Sequence, residues 1–217
     1  MLTIIDYKAG NLTSVKLAVE HVGGECAVTR DPAVVAKAER VIFPGVGQAA
    51  TCMENLRRLG LDRALLGALK AGRPVLAICV GMQRVFEASD EGADAFGPVS
   101  CLGVLPGAVR KFAFPPEPRV KVPHMGWNAV EPTRDHPLFE GVPAHSEFYF
   151  VHSYYVEAGR ESDVLARTEY GGKVFASMAA RDNLAACQFH PEKSGDAGLT
   201  MLRNFLSWRP GGRIDAQ

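Results

Sequence analysis

Val75-Leu76-Ala77-Ile78-Cys79-Val80-Gly81-Met82-Gln83 is the stretch on which the fold turns. Four apolar residues form a run short enough for a buried strand, and the Cys-x-Gly that follows leads directly into a helical pattern. Such a strand-to-helix turn is a nucleophile elbow. It sets the thiol at the carboxyl edge of a sheet beside a helix N-terminus, whose partial positive charge favours the thiolate. The competing reading is that Cys79 is a small core residue at the end of a buried strand.

Upstream of the elbow, apolar runs alternate with amphipathic stretches. Leu2 to Ile5 reads as a strand, and Leu12, Val15, Ala18, Val19 and Val22 recur at helical spacing until Gly23-Gly24. Cys26 to Thr29 is a second strand, and Asp31-Pro32 opens a short helix. Val41-Ile42-Phe43 is a third strand, and Met53 to Leu59 and Leu61 to Lys70 are helical. This rhythm predicts an α/β domain with a mixed, mainly parallel sheet flanked by helices. Downstream of residue 100 the texture is β-rich: Ala108 to Phe112, Val120 to Val122, Phe148 to Val156, Val164 to Thr168, Val174 to Ala179 and Leu184 to Phe189. Phe112 to Pro118 is a proline-rich loop, and Leu199, Leu202, Phe205 and Leu206 mark a last helix. The expectation is one domain over residues 1–209, with a frayed tail over 210–217.

The chain has 217 residues, 47% of them hydrophobic, enough for a full core. Its 24 Lys and Arg balance its 24 Asp and Glu, which argues against partners held by bulk charge, nucleic acid or an anionic membrane. No secretion signal or membrane-spanning apolar run is visible, and a soluble cytoplasmic protein is expected. Five cysteines at irregular spacing contain no C-x-x-C pair, so neither a disulfide framework nor a zinc site is expected. Cys26, in an apolar run, is expected to be a buried small hydrophobe.

Two further segments bear on Cys79. Gln188-Phe189-His190-Pro191-Glu192 ends an apolar strand, and residues two apart in extended chain project to the same side. His190 could act as base and Glu192 as the acceptor that orients it. A lone histidine at a strand end is otherwise a hydrogen-bonded structural residue, and the pairing with a cysteine elbow favours the catalytic reading. Pro44-Gly45-Val46-Gly47 follows a strand, and its glycines would let backbone N–H groups turn toward a ligand, although a plain turn reads the same way.

Taken together, these residues resemble the class I glutamine amidotransferases, the triad glutaminases. Asp6 to Leu12, Pro44 to Gly47, Pro123-His124-Met125-Gly126-Trp127-Asn128, Phe150 to Tyr154 and Phe189 to Ser194 resemble the glutaminase subunits of imidazole glycerol phosphate synthase in particular, in order and over nearly the whole chain. The resemblance implies hydrolysis of glutamine by Cys79, His190 and Glu192, with main-chain N–H groups of Val46, Gly47 and Val80 as oxyanion hole. It places Gln83, Glu91, His152, Ser153 and Tyr154 around the α-amino and α-carboxylate groups of glutamine. Asn11, Trp127, Tyr149 and Lys193 would face a cyclase subunit, a (βα)8 barrel that receives the ammonia in a heterodimer for histidine biosynthesis. No metal or organic cofactor is implied.

The residues themselves leave blander alternatives. Gln83 could face solvent, Glu91 could belong to an acidic loop, Tyr154 could be core, Asn11 could cap a helix, and Trp127, Tyr149 and Lys193 could be ordinary surface or half-buried groups. The glutaminase of another amidotransferase, or a non-catalytic regulatory subunit on the same fold, are the alternative functions. Ala77, Val80, Arg84 and Gln48 to Thr51 depart from the family pattern. Of these Arg84 is the sharpest, because a charge on the elbow helix is expected to reach solvent or a partner.

Overall fold

The computed structural model of the chain describes residues 1–8 and 12–214. The first half runs β1 (Leu2–Ile5), α1 (Leu12–His21), β2 (Cys26–Thr29), α2 (Pro32–Lys37), β3 (Arg40–Gly45), α3 (Ala49–Leu59), α4 (Leu61–Lys70), β4 (Val75–Cys79) and α5 (Val80–Arg84). There follow β5 (Ala88–Asp94), β6 (Gly97–Ser100), β7 (Gly107–Lys111), β8 (His124–Ala129), β9 (Glu131–Pro132), β10 (Glu147–His152) and β11 (Tyr154–Ala158). The chain ends in β12 (Val164–Tyr170), β13 (Lys173–Arg181), β14 (Leu184–Cys187) and α6 (Gly195–Ser207).

The main sheet has the strand order β2-β1-β3-β4-β14-β13-β11-β7-β5-β6. From β2 to β14 neighbouring strands are parallel; β13, β11 and β7 then pair antiparallel. In the parallel half both faces are covered, as its uninterrupted apolar strands require. Val41, Phe43, Val75 and Ala77 point into one core with α2, α3 and α4, while Ile42, Leu76 and Ile78 point into the other with α1 and α6. Phe43, Phe86, Phe148, Phe150, Phe189 and Phe205 are fully buried, each contributing on the order of 2–3 kcal/mol by burial.

The helix signals act as read: Asp31 accepts a hydrogen bond from the N–H of Ala33 at 2.8 Å to cap α2, with Pro32 in its first turn. The β-rich half departs from expectation in three places. Val120 to Val122 is not a strand, because it lies among the prolines at 116, 118 and 123, which lack N–H donors; the strand begins at His124. The single strand expected over Phe148 to Val156 is two strands broken at Ser153. β10 pairs with β8 in a separate two-stranded sheet, and β11 joins the main sheet between β7 and β13. Glu91 lies within strand β5 rather than in a loop.

The tail expected to fray from residue 210 is held as far as Ile214, which is buried and donates its N–H to Asn183 Oδ1 at 2.8 Å. Cys26, expected inside, is the half-buried member of a set whose other four cysteines are buried; all five are free thiols.

Candidate active site

Backbone register assembles the site. In the parallel sheet Gly45 lies abreast of Cys79, and Cys187 abreast of Ile78. The segments that emerge after β3, β4 and β14 therefore leave the same carboxyl edge side by side: Val46-Gly47, Val80 and Gln188 to His190. Open α/β sheets bind ligands outside this edge.

Cys79 carries the strain of an elbow, at φ 55°, ψ −111°, outside the regions an L-residue ordinarily adopts. Gly81 is what lets α5 start so close to the sheet: a Cβ there would lie 2.0 Å from the carbonyl oxygen of Phe43. Gly45 has the same role one strand over, since its Cβ would meet Tyr7 Oη at 2.4 Å and the Gly81 nitrogen at 2.8 Å.

His190 and Glu192 meet as expected but by a different geometry. The chain is extended only to His190, and Pro191–Lys193 forms a 3-10 turn. That turn brings Glu192 Oε1 to 2.7 Å from His190 Nδ1. It is fastened by the His190 N–H to the Tyr149 carbonyl at 2.9 Å and by Ser194 Oγ, which donates to the His190 carbonyl at 2.6 Å. Burial alone would push the imidazole pKa down, but hydrogen bonding and charge from Cys79 and Glu192 outweigh it and raise it to about 10. With Nδ1 held by Glu192, Nε2 is the ring nitrogen left to face Cys79 and to move a proton.

These groups open on a cleft of about 430 Å³ lined by Val46, Gly47, Cys79, Val80 and His190 on one side and by Gln83, Glu91, His152, Ser153 and Tyr154 on the other. All the residues expected to serve as oxyanion hole and amino-acid cradle thus border one space. Gly47 takes φ 93°, the conformation only a glycine adopts freely. A larger cleft of about 560 Å³, lined by Glu131, Arg134, His136 and His145 among others, has no cysteine in its wall, so chemistry rather than volume selects the site. Among the described residues no group of three or more His, Cys, Asp or Glu is placed to hold a metal ion.

Sequence reasoning gave no role to several groups that shape this cleft. Gln188, fully buried, places Nε2 at 3.7 Å from Cys79 Sγ and accepts from Gln83 Nε2 at 2.9 Å. The i, i+2 relation of Gln188 to His190 was the available signal. His124 lies opposite His152 in the β8–β10 register. The Tyr154 carbonyl can only accept, so His152 Nδ1 donates to it at 2.8 Å. His152 Nε2 then accepts from His124 Nδ1 at 2.9 Å, and His124 Nε2 from Asn128 Nδ2 at 3.2 Å. Both rings are neutral in this chain: burial pushes His152 down to about 3 and His124 to about 4.

Arg84, expected to reach solvent or a partner, does not reach solvent: it is fully buried and paired with Glu91. The expected partner-facing residues form a patch beside the site. Trp127, 53% exposed, lies edge-on to Tyr149 at 6.2 Å between ring centres, and Lys193 Nζ is 5.9 Å from the Tyr149 ring. Asn11 lies outside the described residues.

Comparison with known proteins identifies the family. The family model described as "Glutamine amidotransferase class-I" matches residues 3–208. The chain is 48% identical to imidazole glycerol phosphate synthase subunit HisH of Pseudomonas putida over 95% of its own length and 97% of the relative's. With the subunit of the same name from Aromatoleum aromaticum it shares 49% identity, over 96% of this chain and 99% of that one. Among solved structures, a glutamine amidotransferase crystal structure superposes with a TM-score of 0.69 at 21% identity, covering 94% of this chain and 97% of the other. PurLQS from Thermotoga maritima does so with a TM-score of 0.69 at 13% identity, covering 95% and 97%, which speaks to the fold alone. The chain belongs to the class-I glutamine amidotransferases and, within them, to the HisH subunits of imidazole glycerol phosphate synthase.

Proposed function

We propose that the chain is the glutaminase of a two-subunit synthase. It hydrolyses glutamine to glutamate and ammonia, and passes the ammonia to a (βα)8 cyclase subunit that makes imidazole glycerol phosphate and aminoimidazole-carboxamide ribonucleotide in histidine biosynthesis. The observation that carries the reading is the convergence, at one sheet edge, of a strained buried cysteine and a histidine held at 2.7 Å by a buried carboxylate. The sequence similarity supports the specific synthase, and among the described residues no helix is long and apolar enough to cross a membrane.

The chemistry follows from the donors present. Cys79 thiolate attacks the side-chain amide carbon of glutamine, and N–H groups of Val46, Gly47 and Val80 hold the oxyanion. His190 imidazolium gives its Nε2 proton to the departing nitrogen, the C–N bond breaks, and ammonia leaves a glutamyl thioester on Cys79. The now neutral imidazole takes a proton from water as that water attacks the thioester. Collapse breaks the C–S bond, releases glutamate and returns thiolate and imidazolium. Glu192 keeps Nδ1 protonated and stabilises the imidazolium throughout. Gln83, Glu91, His152, Ser153 and Tyr154 hold the α-amino and α-carboxylate groups. Trp127, Tyr149 and Lys193 form the docking face through which ammonia passes, and the sequence resemblance alone adds Asn11 to it.

The test is Cys79→Ser in the assembled synthase. Glutamine-dependent synthesis is expected to fall by on the order of 10⁴ or more while synthesis from added ammonia is kept. Retained glutamine-dependent synthesis would overturn the reading.

A further inference from the structure

Among the described residues Arg84 is the largest side chain with no solvent exposure, and it sits on the helix that begins after Cys79. Its Nε donates to the Val80 carbonyl at 3.4 Å and Nη1 to Cys101 Sγ at 3.6 Å. Nη2 donates to Gln83 Oε1 at 3.1 Å and to Glu91 Oε2 at 3.3 Å. A buried ion pair is a poor device for stability, since well-packed apolar side chains in its place are often neutral or better. What distinguishes this one is that both acceptors of Nη2 line the cleft.

Each acceptor is thereby committed. Glu91 Oε2 also accepts from the N–H of Ala49 at 3.1 Å, the residue that opens α3 directly after Val46-Gly47-Gln48. Among the described residues both hydrogen bonds to the Glu91 side chain fall on Oε2, leaving Oε1. Gln83 Oε1 faces a guanidinium that can only donate, so its Nε2 is directed to the Tyr154 carbonyl at 3.0 Å and to Gln188 Oε1 at 2.9 Å. The Gln188 amide is thereby oriented with its N–H toward Cys79 Sγ.

We propose that Arg84 is a positioning residue of the glutamine cleft. It holds the Glu91 carboxylate with Oε1 free for the α-ammonium group of the substrate, fixes the direction of the Gln83 amide, and ties both to the loop that carries Val46 and Gly47. The proposal rests on the glutaminase reading. It accords with the charge balance at Glu91, where burial raises the carboxyl pKa and Arg84 opposes the rise.

The experiment compares wild type, Arg84→Met and Arg84→Lys in complex with the cyclase subunit, measuring glutamine KM and kcat from about pH 6 to about pH 9. Loss of the charged hydrogen bonds in Arg84→Met is expected to raise KM roughly tenfold while kcat stays within about threefold. The KM should also become pH-dependent and fall as pH rises, because a Glu91 carboxyl without its cation is charged only at higher pH. Arg84→Lys, which keeps the charge but is a single point donor, is expected to restore the flat pH profile and only part of the KM. Ammonia-dependent synthesis at the wild-type rate identifies folded, docked enzyme. If Arg84→Met does not assemble, Arg84→Lys decides: a raised KM with a flat pH profile supports the role, and a wild-type KM overturns it.

An unchanged KM in the variant that assembles, or a loss confined to kcat, would overturn the role of Arg84 while leaving the glutaminase reading intact. Failure of the wild-type complex to release glutamate would overturn both.

Discussion

The two walls of the cleft are built in different ways. One wall comes from the parallel half of the sheet, where Cys79, Val46, Gly47, Val80 and His190 stand at adjacent strand ends because Gly45 is in register with Cys79 and Cys187 with Ile78. Its geometry is set by backbone. The other wall comes from α5, β5 and the β10–β11 break, where Gln83, Glu91, His152, Ser153 and Tyr154 are held by side chains that reach between elements. In the proposed glutaminase, reactivity therefore resides on the wall set by backbone pairing, and recognition on the wall where a buried hydrogen-bond network can be re-tuned by single substitutions such as the one at position 84.

That contrast can be broken from either side. On the backbone wall the largest effect is expected from Glu192→Gln, which keeps an acceptor near His190 but removes the charge; kcat for glutamine should fall by on the order of 10³, without a comparable change in KM. The same variant has a stability signature. The folded imidazole titrates near 10 against 6.5 for an unperturbed one, so its stabilisation is complete below about pH 6.5 and is lost as pH climbs through about 10. The stability gap between wild type and Glu192→Gln, read by denaturant titration, should be widest at low pH and close at alkaline pH. A gap independent of pH would mean that the carboxylate is not what raises His190.

On the network wall the expected effect is smaller. His124→Phe keeps a ring against Tyr170, whose centre lies 4.0 Å from that of His124, but leaves His152 Nε2 without its donor. A cost of about 1–2 kcal/mol in stability and a several-fold rise in glutamine KM are expected. The acid limb should also change. His124 titrates near 4 in the fold, so as pH falls from 6.5 the unfolded chain takes up a proton that the fold refuses, and stability drops. Without His124 that drop is expected to be shallower, and an identical acid limb would contradict the buried neutral pair.

How much of this was legible in sequence follows the same division. The β-α rhythm of residues 2–79, the Asp31-Pro32 helix start and the elbow at Cys79 are encoded in contiguous residues, and the structure has them within a few positions. In the second half prolines at 115, 116, 118 and 123 obscure where the chain becomes a strand, and Ser153 marks a change of sheet that local pattern does not record. The His190–Glu192 pairing was visible from spacing, though a 3-10 turn and not extended chain produces it. The His124–His152 pair depends on the register of two strands separated by 17 intervening residues, 130–146, and the burial of Arg84 on a carboxylate from another element. Neither is a property of any local stretch.

In the proposed mechanism Cys79 reacts because it is activated, not because it is accessible. Of the five free thiols Cys26 is the half-buried one, whereas Cys79 is only 4% exposed. The measurement is peptide mapping of the synthase complex after treatment with a glutamine analogue bearing a chloroketone in place of the side-chain amide. Labelling confined to Cys79, and suppressed by excess glutamine, is the predicted result. Labelling of Cys26 with Cys79 untouched would contradict it.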